Sequence, residues 1–171
     1  MAETLKADIA KEVNISARRN DSFKLNLEVK NSSGLIDLND LRDSVYPNYQ
    51  AKMSIINNSG ERVLSVYSYY WRDVIPNTTN HADNSSPNSS TEGHYSGDAS
   101  DMGIDFTNAN GTNGFVTVNV PHAYMIFQSG NYKYDLQIRK QESGTAGDED
   151  VAEYTTWLYG TFILNADITQ V

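Results

Sequence analysis

At 171 residues the chain is sized for one domain, long enough to bury a core without covalent staples. It has no cysteine, which excludes disulfides and thiolate metal sites. Thirteen Lys and Arg against 22 Asp and Glu leave a net charge of −9, which opposes binding to a phosphate backbone, where clustered cations are needed.

The opening MAETLKADIAKEV holds no apolar run of signal-peptide length, and no stretch has the length of a membrane-spanning helix. A soluble protein made in the cytoplasm, contacting no membrane, is expected. Asn-X-Ser/Thr triplets, as at Asn77 and Asn84, read as chance in an Asn- and Ser-rich chain rather than as glycan acceptors.

In residues 1–11, Leu5 and Ile9 sit at helical spacing, with Val13 beyond them, so this segment is an N-terminal arm or a short helix. Residues 12–171 are expected to form a single domain. EVNISA (12–17) reads as a weak strand. A polar turn with Arg19 and Asp21 follows. Then Phe23, Leu25, Leu27 and Val29 alternate with Lys24, Asn26, Glu28 and Lys30, the pattern of a strand with one wet face. NSSG ends it, and Gly34 is free to take positive φ. DLNDLRDSV offers one short helical turn, capped by Asp37 or Asn39.

YQAKMSII and ERVLSVYSYYW, joined by NNSG, predict a hairpin. From Pro76 to Gly114 the chain is polar, and only MGIDF (102–106) has the character of a strand. A long exposed loop, partly ordered by a neighbouring chain, is expected there. GFVTVNV then places Val116, Val118 and Val120 on one face. NYKYDLQIRK places Tyr132, Tyr134, Leu136 and Ile138 on one face, and with YTTWLYGTFIL it predicts a second hairpin around a charged, Gly-rich loop. About seven antiparallel strands result. One-sided alternation in that number indicates an all-β fold, a β-sandwich of Ig-like or jelly-roll-like type, with a small closed barrel as the alternative.

Motifs for chemistry are sparse. His81, His94 and His122 lack the spacing of a zinc site. Asp98, Asp101 and Asp105 cluster in sequence without a calcium-loop signature, and GDED (147–150) reads as a hairpin tip. There is no G-x-S-x-G elbow, and GTNG (111–114) precedes a strand rather than a helix, so phosphate-cradling geometry is missing. No catalytic residue, metal or cofactor is assigned. The aromatic run Tyr67, Ser68, Tyr69, Tyr70, Trp71 suits a protein interface or, alternatively, sugar stacking. With His81, His94 and Tyr95 of the polar segment, Tyr67, Tyr69, Tyr70 and Trp71 form the candidate interface.

The order of the pieces carries a resemblance. Arg19, Asp21, Ser22 and Phe23 lead a strand; Gly34, Ile36, Asp37 and Leu38 follow. Later come Gly130, Tyr132, Tyr134 and Asp135, and last Gly160, Phe162, Asp167 and Thr169. This series resembles the β-sandwich module of bacteriophage virion proteins typified by the N-terminal domain of the baseplate upper protein family. Asn20 stands where that module has Gly, and Asn39 where it has Thr. Family members continue into a receptor-binding or fibre-attachment region, which this chain, ending at Val171, is expected to lack.

The resemblance implies a non-enzymatic structural component of a virion: a tail, baseplate or neck adaptor, or a fibre-attachment protein. It would act through contacts with other virion proteins as a symmetric oligomer or a particle-bound unit. A capsid decoration protein and a glycan-binding module are the alternatives. The N-terminal arm and the 76–114 segment are the expected contacts with neighbours.

Overall fold

The computed structural model describes residues 3–6, 10–36, 38, 41–42, 46–47, 49–68, 92–94, 102–106, 114–141 and 152–167. Fourteen strands run through these residues, and none of them is α-helical; one 3-10 turn spans His122–Tyr124. The strands are β1 (Glu3–Lys6), β2 (Lys11–Glu12), β3 (Ile15–Arg18), β4 (Phe23–Asn31), β5 (Gly34–Leu35), β6 (Leu41–Arg42) and β7 (Tyr46–Pro47). They continue with β8 (Tyr49–Ile56), β9 (Arg62–Tyr67), β10 (Glu92–His94), β11 (Gly103–Asp105), β12 (Phe115–Val120), β13 (Gly130–Gln141) and β14 (Ala152–Asn165). The sequence pattern predicts about half that number. The extra strands are two to four residues long, too short to display an alternation of their own.

Two sheets result, with β6 and β7 forming a separate small hairpin. One sheet has the order β1-β4-β12-β11, with β5 also paired to β4. The other has the order β10-β9-β8-β13-β14-β2, with β3 also on β14. Long central ladders are antiparallel, as between β13 and β14, β8 and β13, and β4 and β12. Parallel pairing is confined to short edge strands: β1 on β4, β2 and β3 on β14, and β10 on β9.

The period-2 pattern dictates which faces meet. Leu27, Val29, Val116, Val118 and Val120 from the first sheet share one buried core with Met53, Ile55, Leu64, Tyr134, Leu136, Leu158 and Phe162 from the second. Phe23 meets Phe162 edge to face across the sheets, with ring centroids 5.4 Å apart. The sheets are also joined along one side, where Ser68 at the end of β9 bridges Ile104 of β11.

On the opposite side the N-terminal segment does the joining, since β1 borders the first sheet and β2–β3 the second. Of residues 1–11, expected to be an arm or a short helix, residues 3–6 and Lys11 are extended and paired within the chain. The helical turn expected near Asp37 is replaced at Leu41–Arg42 by strand, and its candidate caps Asp37 and Asn39 lie outside the described residues. Part of the segment expected to be an exposed loop belongs to the core: Met102, Ile104 and Phe106 are buried. Both predicted hairpins form. Asn57 closes the NNSG turn by accepting the Ser59 and Glu61 amides on its Oδ1, with Gly60 at φ 80°.

The N-terminal edge depends on one close approach. Between β2 and β3 the chain leaves β14 for two residues, Val13 and Asn14. The Val13 amide donates to Tyr159 O at 2.9 Å, and the Thr161 amide donates to Asn14 Oδ1 at 3.0 Å. Between those two contacts lies Gly160, at φ 156°, where an added Cβ would stand 2.3 Å from the Val13 carbonyl oxygen. Tyr134, the cross-strand partner of Gly160, donates its hydroxyl to that same oxygen at 2.7 Å. To reach it from β13 the side chain must cross β14 at the position that has no side chain of its own.

Gly160→Ala is therefore expected to lower the unfolding free energy by at least about 2 kcal/mol, read from urea denaturation. Tyr134→Phe, which keeps the ring and loses one hydrogen bond, is expected to cost about 1 kcal/mol.

Candidate functional site

The turn Arg18–Ser22 is built to enter β4 from β3. Asn20 has φ 65°, the left-handed region that β-carbon crowding closes to most residues but leaves open to Asn and Gly. That explains how Asn stands where the resembled module has Gly. The turn is held from three places. The Arg19 amide donates to Asn165 O and the Asn20 amide to Met125 O, both at 2.9 Å. Arg19 Nε donates to Ile126 O at 3.1 Å, and Asn20 Nδ2 to Asp167 Oδ2 at 3.2 Å. Ser22 Oγ accepts the His122 amide at 3.2 Å. Beneath the turn, Phe127 packs edge to face on Tyr132 at 5.1 Å, and Tyr132 donates its hydroxyl to Gln128 O.

Sequence pieces far apart thus meet at one corner: Arg19, Ser22 and Phe23 with Tyr132, Phe162 and Asp167. Each makes a structural contact there. Gly130 opens β13 without a positive φ, and a Cβ there would meet only the Tyr132 ring at 3.8 Å. Asp21 is exposed, and Thr169 lies outside the described residues.

The candidate interface residues are only partly placed. Tyr67 is buried at 3% exposure on β9, with Lys52 Nζ 5.5 Å from its ring centroid. His94 lies on β10 and pairs with Tyr67 in parallel register, a juxtaposition across 27 positions that spacing alone does not reveal. Tyr69, Tyr70, Trp71, His81 and Tyr95 lie outside the described residues, as do Asp98 and Asp101. His122 is exposed on the 3-10 turn, and Asp105 is half-buried on β11. Among the described residues no three His, Cys, Asp or Glu side chains gather as a metal would require, and no helix is long and apolar enough to cross a membrane.

A concave feature not anticipated from sequence lies on the outer face of the second sheet. A depression of about 590 Å³ is lined by Lys52, Ser54, Arg62, Lys133, Asp135 and Gln137, with Ile56 and the turn residue Gly60 at one end. Register brings these residues together. Lys133 lies opposite Ile56, which lies opposite Arg62; Asp135 lies opposite Ser54; Gln137 lies opposite Lys52. Each strand shows only an unremarkable polar alternate in sequence, and the pairing of three strands is what gathers three cations and one carboxylate.

Burial holds the Asp135 carboxyl above its ordinary value. A hydrogen bond from Gln137 Nε2 at 2.9 Å and the charges of Lys52 and Arg62 oppose that shift without cancelling it.

No protein-family model matches the chain, and no curated protein matches it. Among solved structures the chain is similar to the N-terminal domain of phage TP901-1 ORF48. The two are 14% identical, the alignment covers 96% of this chain and 99% of that one, and the TM-score is 0.43.

Two outcomes test these sites. Asn20→Gly is expected to leave the urea midpoint nearly unchanged, whereas Asn20→Ala costs about 1 kcal/mol. For Asp135, a carboxyl raised by folding binds its proton where the unfolded chain has already lost it. Stability from this group is therefore full in acid and falls as pH rises through the raised value. Asp135→Asn is expected to raise the urea midpoint at neutral pH, with the difference closing as pH drops below the ordinary carboxylate range.

Proposed function

We propose that the chain is a non-enzymatic structural component of a bacteriophage virion, a tail, baseplate or neck adaptor acting through contacts with other virion proteins. One observation supports this reading above the others. Pieces of the resemblance to the baseplate upper protein module that lie far apart in sequence, Arg19, Ser22 and Phe23 with Tyr132, Phe162 and Asp167, meet at one corner of the fold. Short pieces matched by chance have no reason to converge. Such contacts also fit a protein whose work is to hold position, since Arg19, Tyr132 and Tyr134 donate to backbone carbonyls and Asn20 donates to the Asp167 carboxylate.

A symmetric homo-oligomer is the assembly this reading implies.

Native mass measured over a concentration series tests it. A discrete closed oligomer, or a monomer that adds stoichiometrically to particles lacking it, is the expected result. A monomer that joins no particle but binds a sugar panel saturably would replace this reading with the glycan-binding one.

A further inference from the structure

We propose that the depression on the outer face of the second sheet is a binding site for a small neutral saccharide, with Tyr159, Asp135 and Gln137 as its principal contacts. The inference goes beyond the virion reading and does not depend on it. It rests on the chemistry of the depression and of the ring beside it.

The lining disfavours a charged ligand. Lys133 and Asp135 share one face of β13, and Lys52 and Arg62 lie near them on β8 and β9. An anion would meet the Asp135 carboxylate, on which the charges of Lys52 and Arg62 already act, and a cation would meet the basic groups. A hydroxyl is both donor and acceptor. A ligand made of hydroxyls can therefore use groups of either sign and needs no surplus of one. The volume, about 590 Å³, falls within the range of about 300–1,000 Å³ usual for small-molecule sites.

Two of the polar groups are held in place before any ligand arrives. Gln137 Nε2 donates to Asp135 Oδ2 at 2.9 Å, and both residues are half-buried. That bond sets a carboxylate beside a carboxamide in one orientation, so less side-chain freedom is lost on binding. Ser54 lies directly opposite Asp135 and adds a hydroxyl to the lining. Partial burial strengthens hydrogen bonds made here relative to those in open water.

Tyr159 supplies the apolar part. It is the partner of Asp135 on β14, on the same face of the sheet, and is 44% exposed. A pyranose presents a face of C–H groups and a rim of hydroxyls. An exposed aromatic ring next to a fixed polar set complements both. Ile56, half-buried, closes the far end of the depression. Tyr67, from the aromatic run singled out in the sequence, is buried and offers no such surface.

The test is titration of the full-length isotope-labelled chain, followed by backbone amide shifts. The probes are glucose, galactose, N-acetylglucosamine, maltose and lactose, with glycerol as the polyol that lacks a ring. The expected result is a saturable response of Ser54, Asp135, Gln137 and Tyr159 to at least one of the sugars, with a Kd on the order of 1 mM. Raising the salt concentration should leave that Kd nearly unchanged, because the ligand is neutral. Tyr159→Ala should weaken binding about fivefold or more, whereas Tyr159→Phe retains it. Asp135→Asn should weaken it about tenfold. Tyr159 is exposed and Asp135→Asn keeps the shape of the side chain, and an unchanged amide spectrum away from the site verifies that each variant is folded.

The proposal is overturned if none of the sugars gives a saturable response at these residues, or if glycerol shifts them equally, which would mark an adventitious additive only. Binding that fades with salt, or that survives both Tyr159→Ala and Asp135→Asn, would overturn it as well. None of these outcomes bears on whether the chain joins a particle.

Discussion

The close approach of Val13 to Gly160 governs more of this structure than any other contact. A carbonyl oxygen sits where any other residue's β-carbon would be, and the phenol of Tyr134 reaches that oxygen across the gap. Three strands, β13, β14 and the interrupted β2–β3, are thereby fixed in one register. The N-terminal segment can then border the second sheet while its first residues border the first. Without the missing side chain at 160, the interruption at Val13 and Asn14 would have no room, and that edge would be differently aligned.

The arrangement also separates two kinds of polar residue. At the corner around Asn20 the polar groups bond to one another and to backbone. On the outer face of the second sheet the polar groups line a depression around Asp135, and the carboxyl there keeps its proton more readily than usual because the sheet surface desolvates it. Alternation sends one face of each long strand to the core and places its polar residues on the other.

Much of the architecture is legible in the residues. Phe23 to Val29, Val116 to Val120 and Tyr132 to Ile138 announce their inner faces by strict alternation, and all but the half-buried Leu25 are buried. The NNSG and NSSG turns are equally plain. The short edge strands are not, because two to four residues carry no period and their pairing is decided by what lies beside them. The depression is illegible for a related reason. Lys52, Arg62 and Lys133 belong to three strands, and only the register, shifted by an irregularity at Ile55/Ile56, places them together. Asn20 is an intermediate case: the residue type allows a left-handed turn, but only the structure says that the turn is used.

The pairing of β3 with β14 has a consequence for how the chain acquires its shape. Ile15–Arg18 lie against Phe162–Asn165, and the hydrogen bond from Thr161 to Asn14 joins positions 147 apart. A nascent chain leaving the ribosome presents β3 long before its partner exists. Until β14 emerges, that early segment must wait without its ladder. Contacts of such long range also slow the search for the native topology. During that interval the unpaired strands are open to pairing with other copies of the chain.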